Sequence, residues 1–338
     1  MALSSLFPGN HLQPLVGIAK LAAEGQAISE GHDVEYLTLE NRSVLTRCRA
    51  PRMPFEWMIN PYRGCEFACK YCYARYTHEF MELRDSRDFE RKIYVKQHTS
   101  RVLRQELKKV RPGEQIAIGT ATDPYQPAER KFGVTRSIME ELAQYEGLEI
   151  GLVTKSTLLL RDLELLQVIA CKSRLTVCVT VTTVNAELAR ALEPRAPRPD
   201  LRLLAVQRLN AAGVRAGVNI APVLPGITDL PADMDSLIAA AANSGAKFVW
   251  SNALFLKDCS AKVFLPFVES KFPHLANLYK QRFAKRSFLP ASYSDRLRNL
   301  VKRLCEKHSL GDGTEKWRAP SAASDPHQLA TSAQMSLF

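Results

Sequence analysis

Three cysteines, Cys65, Cys69 and Cys72, fall within eight positions of the stretch RGCEFACKYCYAR, residues 63–75. Thiolates gathered this densely select zinc or an iron–sulfur cluster. The spacing C-x3-C-x2-C is not the paired C-x2-C of zinc ribbons and fingers, so a zinc site here needs a fourth ligand such as Cys48 or His78. A [4Fe–4S] cluster is normally held by one cysteine per iron. With three cysteines, one iron stays open to an exogenous ligand. The other five cysteines (Cys48, Cys171, Cys178, Cys259 and Cys305) lie far apart in the sequence, as reduced thiols do, and no disulfide framework is implied.

Periodicity shows which elements must position such a site. Apolar, β-rich runs recur at 56–60, 115–120, 149–154, 175–182, 215–221 and 247–254. Helical patterns fall between them at 101–110, 134–145, 158–170, 186–192, 201–212 and 232–244. Gly147, Gly213 and Gly245 stand where helices should stop, each shortly before a strand. Six strand–helix units predict a parallel sheet with helices outside, either doubly wound or a barrel. No dinucleotide glycine fingerprint follows the first run. The cysteine loop takes that place, at the C-terminal end of a strand, where parallel-sheet folds carry their chemistry. Residues 1–54 read as an irregular or weakly helical extension with a short helix near 16–23.

With 338 residues, 46% hydrophobic and 24% charged, the composition is that of a soluble globular protein. Its net charge of +11 is uneven. Nine cations (Lys280, Arg282, Lys285, Arg286, Arg296, Arg298, Lys302, Arg303 and Lys307) face only two acids, Asp295 and Glu306, across residues 280–307. A polyanion fits this face, nucleic acid before membrane, although a solvated helix surface would look the same. Leu297, Leu300, Val301 and Leu304 form an apolar stripe behind it, with Ser292 three residues ahead of Asp295 as a candidate cap. The pattern changes after Pro266, so the basic helical region is placed at 261–310. Residues 311–338 are polar and Ala/Ser/Pro-rich and read as disordered. No basic leader precedes an apolar run, and no run is long enough to span a bilayer, which predicts a cytoplasmic protein without membrane contact.

C-x3-C-x2-C with Tyr71 just before the third cysteine resembles the signature of the radical S-adenosylmethionine enzymes. The resemblance implies a [4Fe–4S] cluster whose open iron chelates S-adenosylmethionine. An electron from a flavodoxin- or ferredoxin-type donor then releases a 5′-deoxyadenosyl radical that abstracts hydrogen from a substrate. It also implies an α/β fold, a partial (β/α)6 TIM-like barrel over residues 55–260, in agreement with the six units read from periodicity. Further stretches (GTATDPYQPAE at 119–129, VTKS at 153–156, VTVTTVNAELARALEPRAP at 179–197 and GVNIAPVLPGITD at 217–229) are similar to the spore photoproduct lyase-like branch, often labelled DNA repair photolyases.

Carried over by position, the resemblance makes Cys65, Cys69 and Cys72 the cluster ligands. Tyr71, Thr120, Thr122, Asp123, Lys155, Thr180, Thr182, Asn219 and Ile220 become the cofactor contacts. Lys155 reaches the cofactor carboxylate, the two strand-four threonines face the ribose, and Asn219 with Ile220 meets the adenine. The usual Gly-Gly-Glu after strand two is absent, as is the cysteine hydrogen donor that the lyase needs near the end of that strand. Cys178 substitutes if it faces the barrel interior, a buried inert thiol being the plainer reading, and Tyr125 is a second radical-relay candidate. The resemblance makes DNA the expected substrate, held by Lys280, Arg282, Lys285, Arg286, Arg298, Lys302 and Arg303. A peptide, a tRNA, a small molecule or a non-catalytic zinc module are the alternatives. Gln334, Met335, Leu337 and Phe338 resemble the bacterial sliding-clamp-binding peptide, with the glutamine and three apolar side chains suited to a groove on the clamp.

Overall fold

The computed structural model describes residues 15–31, 33–49 and 53–311. Among these described residues eleven strands follow one another: β1 Ala27–Gly31, β2 Val34–Leu39, β3 Leu45–Arg47, β4 Trp57–Ile59, β5 Tyr62–Arg63, β6 Lys92–Lys96, β7 Gln115–Ile118, β8 Glu149–Thr154, β9 Arg174–Thr180, β10 Ala216–Val223 and β11 Val249–Ala253. The larger sheet runs β11-β10-β9-β8-β7-β4-β3. Its first six strands in that order are mutually parallel, and β3 lies antiparallel on β4. This is the partial (β/α)6 barrel, with one extra edge strand. All six runs expected as parallel strands are strands of it, and the helices Ala186–Leu192, Pro199–Ala211 and Pro231–Asn243 lie within a few residues of their expected limits.

Strand parity divides the sheet into two faces. Ile116, Ile118, Ile150, Leu152, Val177, Val179, Val218 and Ile220 are buried with Ile138, Leu166, Val206 and Leu237 of the surrounding helices in one hydrophobic core. Residues of opposite parity, among them Gly151, Cys178, Thr180, Gly217 and Asn219, point into the barrel. The register places Val153, Cys178 and Gly217 side by side, and Thr180 beside Asn219. Gly217 must lack a side chain, because a Cβ there would lie 2.5 Å from the Phe248 carbonyl oxygen.

The N-terminal expectation is corrected. The helix Gly17–Ala23 is present, but the segment expected to be irregular forms strands β1, β2 and β3. β1 pairs with β2, β2 with β6 and β6 with β5 in a second, four-stranded sheet. The run VEYLTL at 34–39 has the β-branched and aromatic content of a strand, buried on alternate and end positions, and its partner β6 is the run KIYVK. Through β5 this sheet leads directly into the cysteine loop. At the other end the helix Asp258–Lys271 runs through Pro266, so it spans the boundary expected at 260. The helix Ala291–Lys307 begins after Pro290, which places Ser292 inside its first turn instead of at its cap. Its stripe packs as expected, with Leu297 and Val301 buried and Leu300 and Leu304 half-buried.

Behind the cysteine loop, the helix Tyr76–Glu79 buries His78 between Phe89 and Tyr94, with ring centroids 5.2 and 6.0 Å away. His78 Nε2 lies 3.1 Å from the Lys92 carbonyl, so the neutral ring donates there. Its Nδ1 is buried without a partner. A second ring proton would have no acceptor, and burial lowers the pKa to about 4. Below the ordinary histidine value of about 6.5 the unfolded chain takes up a proton that the folded chain refuses. His78 therefore leaves stability intact above that pH and removes about 2 kcal/mol between pH 6.5 and 5. Urea unfolding at those two pH values should show a smaller acid loss for His78→Phe than for the natural chain. Equal losses would rule the histidine out as the cause.

Candidate cluster and cofactor site

The cysteine loop leaves β5 through Gly64, whose φ of +86° and closeness to backbone demand glycine: a Cβ would sit 2.7 Å from the Lys92 carbonyl oxygen and 2.8 Å from that of Phe89. Main-chain bonds then pin the loop on several sides. Cys65 N donates to Phe89 O (2.9 Å) and Lys70 N to Leu192 O (2.9 Å). The Cys69 carbonyl accepts from Arg75 Nη2 at 3.0 Å, and the Cys72 carbonyl from Ser260 Oγ at 2.7 Å. Gln126 bridges the loop's entry, its Nε2 donating to Gly64 O (3.1 Å) and its Oε1 accepting from Glu66 N (2.9 Å). Glu66 in turn accepts from Tyr36 of the small sheet at 3.0 Å and from Ala128 N at 2.7 Å.

These contacts use carbonyls, amides and neighbouring side chains, and leave the three thiols near enough for each to feel the others' charge. Burial pushes all three up, Cys69 to about 12. Opposing it, the Phe67 amide donates toward the Cys65 sulfur and the Ala74 amide toward the Cys72 sulfur, while the charges of Arg75 and Lys155 favour the Cys72 thiolate. Such N–H···S bonds and nearby cations are what a thiolate-ligated cluster requires. No trio of His, Cys, Asp or Glu side chains among the described residues is close enough to hold a single metal ion. The zinc alternative needs His78 or Cys48 as a fourth ligand, and neither joins the cysteines in such a group among the described residues. The residues present fit a cluster of several irons held on three sulfurs.

Glu193 and Arg202 fasten the loop to the barrel. Tyr71 Oη donates to Glu193 Oε1, and Thr182 Oγ1 donates to the same oxygen at 3.2 Å. Arg202 Nη1 lies 2.5 Å from Glu193 Oε2 and donates to the Thr180 carbonyl at 3.1 Å, while its Nε donates to Pro197 O at 2.6 Å. Burial alone would raise the Glu193 carboxyl. Arg202, Lys155 and the Tyr71 hydroxyl outweigh it and hold the group below the ordinary carboxylate range. Lys155, at the end of β8, is half-buried with its ammonium 5.7 Å from the centre of the Tyr71 ring. Burial opposes its charge, but Cys69 and Glu193 restore it and raise the pKa. A cation thus faces the cysteine loop across Tyr71.

Several expected contacts have other roles. Asp123 is buried and takes three bonds, from Thr154 Oγ1 (2.6 Å), Lys155 N (2.7 Å) and Tyr125 N (3.0 Å), so it ties the ends of β7 and β8 together. Thr122 Oγ1 donates to Gly64 O at 2.6 Å. Thr120 supplies its hydroxyl oxygen to Asn60 Nδ2 (3.2 Å) and its carbonyl to Tyr73 Oη. Thr122 and Thr120 brace the cysteine loop. Thr182 is spent on Glu193, whereas Thr180 keeps its hydroxyl proton and accepts from Asn219 Nδ2 at 3.4 Å. Ile220 is on the helix-facing side of β10 and turns its side chain away from the barrel. Tyr125 is likewise in the outer core, where the charges of Asp162 and Glu129 act on its hydroxyl. Cys178 faces the interior, two residues below Thr180, buried and with its thiol pushed up to about 12 by that burial.

Sequence reasoning missed Glu193, Arg202, Gln126 and Arg75. One signal was available: Arg202 occupies the apolar stripe of its helix with Ala205, Val206 and Leu209. A charge on a core-facing stripe requires a buried partner. Of the cations expected on DNA, Lys280 pairs with Glu269 at 2.5 Å and Arg298 with Asp295 at 3.0 Å. Lys285, Arg286, Lys302 and Arg303 are exposed and Arg282 is half-buried. Gln334, Met335, Leu337 and Phe338 lie outside the described residues.

Comparison with known proteins agrees with this geometry. The radical SAM superfamily profile matches residues 59–238. An uncharacterized protein of Mycobacterium tuberculosis is 36% identical over 264 residues, 77% of either chain. Among solved structures, spore photoproduct lyase complexed with dinucleoside spore photoproduct has a TM-score of 0.62 at 15% identity, covering 82% of this chain and 80% of the lyase. A mutant of that lyase with bound AdoMet and the same dinucleoside gives 0.59 at 14%, over the same shares. At such identities the structures establish a common fold. Two buried cysteines and a half-buried third on one loop at the C-terminal mouth of a six-stranded parallel barrel, within a sequence matched across its barrel, place this chain in the radical SAM superfamily.

Proposed function

We propose that this protein is a cytoplasmic radical SAM enzyme that acts on DNA in damage repair. Cys65, Cys69 and Cys72 hold a [4Fe–4S] cluster, and Lys155 and Thr180 with Asn219 orient S-adenosylmethionine over it. When bound, cluster and cofactor supply a 5′-deoxyadenosyl radical by reductive cleavage, on an electron from a flavodoxin- or ferredoxin-type donor. Lys155 contributes a fixed positive charge for the cofactor carboxylate. Thr180 offers a hydroxyl donor on the inner face. Cys178, below it, is the hydrogen-donor candidate of this reading. The observation that carries the reading is the arrangement of the cysteine loop: its backbone is bonded on every side while its sulfurs stay unligated by protein side chains.

DNA enters through two supports. The lyase that shares this fold has been solved with a dinucleoside lesion. The helices Ala276–Phe283 and Ala291–Lys307 and the connection between them carry the basic residues, of which Lys285 and Arg286 in the connection and Lys302 and Arg303 on the second helix are exposed. In the same reading Gln334–Phe338 tethers the enzyme to the replication sliding clamp.

Anaerobically reconstituted protein should contain about four irons and four sulfides per chain. Each of Cys65→Ala, Cys69→Ala and Cys72→Ala should lose both the cluster and the formation of 5′-deoxyadenosine. A zinc-loaded, colourless protein would end the enzyme reading. With about five phosphates neutralised, the logarithm of DNA affinity should fall against log salt with a slope near −4.5. Lys302→Glu with Arg303→Glu should weaken binding to every sequence and leave cofactor cleavage unchanged, and an affinity indifferent to salt contradicts the basic-face assignment. Deleting 334–338 should abolish capture by the purified clamp in a pull-down, with the cluster content unaffected. Equal capture of both forms would disprove the tether.

A further inference from the structure

Aromatic rings lead outward from the cysteine loop in single file. Tyr73 follows Cys72 directly, and its hydroxyl donates to the Thr120 carbonyl at the barrel mouth. Its ring centre is 6.2 Å from that of Phe255. Phe255 stacks on Phe288, centres 4.4 Å apart and planes at 29°. The main chain holds this stack in place: Phe255 and Phe288 form an antiparallel bridge, and Leu256 N donates to Ser287 O at 2.9 Å. Phe288 is nevertheless 59% exposed and Tyr73 41% exposed. Rings held this firmly by backbone yet left open to water have their cost of ordering already met and their apolar faces unused.

Charge beside the rings indicates what they meet. Lys285 and Arg286 are exposed, three and two positions before Phe288, and no acidic side chain pairs with either among the described residues. On the Phe255 side, Lys257 Nζ lies 3.8 Å above the ring centre of Tyr76. A narrow run of aromatic faces with the exposed cations Lys285 and Arg286 at one end suits a chain that alternates flat apolar groups with negative charges. Single-stranded DNA is such a chain, because every base has a stackable face and each is joined to the next by a phosphate. A protein partner would call for a broad apolar patch with a mixed polar rim.

We propose that Tyr73, Phe255 and Phe288 form a stacking platform for unpaired bases of DNA flanking the reacting nucleotide, with Lys285 and Arg286 on the adjoining phosphates. This rests on the DNA reading above and adds to it a preference for unstacked strand over intact duplex. The platform starts one residue from a cluster ligand, so a base held on Phe255 or Phe288 places its neighbour at the barrel mouth. Because the contact is with ring faces, it carries little sequence preference.

Fluorescence anisotropy of the cluster-loaded full chain would test the platform with three probes: a short oligothymidylate, an abasic oligonucleotide of equal length and charge, and a duplex. The natural protein should bind the oligothymidylate more tightly than either of the others. Phe288→Ala should weaken that binding roughly 5- to 100-fold and leave the abasic affinity unchanged. Phe288→Trp should retain it, and Lys285→Glu with Arg286→Glu should weaken both single strands. Unaltered iron content in each variant confirms that the fold is kept. If Phe288→Ala binds the oligothymidylate as the natural chain does, or if the duplex or a matched RNA is preferred, the platform is wrong while DNA or nucleic-acid binding stands. If the natural chain binds no DNA at all, the DNA reading fails and the platform with it.

Discussion

Glu193 and Arg202 are both essentially inaccessible to water, with side-chain exposures of 0% and 1%, and they meet where the cysteine loop touches the barrel. An ion pair in such a place gains little over an apolar substitute, because removing both charges from water costs about as much as their attraction returns. Its value here is positional. One carboxylate gathers Tyr71 from the cysteine motif and Thr182 from the end of β9, and the guanidinium gathers the carbonyls of Thr180 and Pro197. Losing one partner would strand the other charge at a cost of roughly 3–5 kcal/mol. The loop that presents three sulfurs is thus attached to the strand that presents Thr180 by a contact that cannot loosen gradually.

A second hub lies in the turn after β7. Thr122 and Gln126 both reach the Gly64 carbonyl, and Asp123 joins Thr154 to the amide of Lys155. The turn after β7 therefore connects the cysteine loop's entry to the strand that carries the site's cation. Gly119 permits this turn: with φ at +87°, a Cβ would lie 2.4 Å from the Val153 carbonyl oxygen. The two hubs explain why so much of the sequence around the mouth is polar although few of its side chains face the cavity.

The contrast between residues that were legible in the sequence and those that were not follows from the range of the interactions. Strands β4 and β7 to β11 could be read because each carries apolar, β-rich residues and is followed or preceded by a helical pattern at a regular interval, which are local properties. The cysteine loop was legible for the same reason, its ligands being within eight residues. Strands β2 and β6 were not, since they stand outside the repeated strand–helix pattern and pair with each other across more than fifty residues. Asp123 looked like a ligand because an acid beside a strand end is a reasonable hand for an ammonium group. Only the fold shows that Thr154, Lys155 and Tyr125 already occupy it. Ile220 and Tyr125 show the limit of reading by position: each is adjacent to an inward residue, and a shift of one along a strand or turn reverses the face.

The burial that pushes the three thiols up also bears on how the site fills. As protonated groups they are tolerable in a buried loop, whereas three bare thiolates would repel one another in poorly screened surroundings. A polycationic metal core reverses that balance, since it supplies the charge that makes thiolate the favoured form, and binding releases protons. Lys155 and Arg75 lie on the side of the thiolates, Glu193 against Cys69. Because Arg202 offsets Glu193 within the pair, Lys155 is left as the cation that faces the loop. A carboxylate arriving at the mouth would meet that charge beside an aromatic ring, in a setting whose other charges are already matched. The same pairing that anchors the loop therefore leaves one positive charge available to the site.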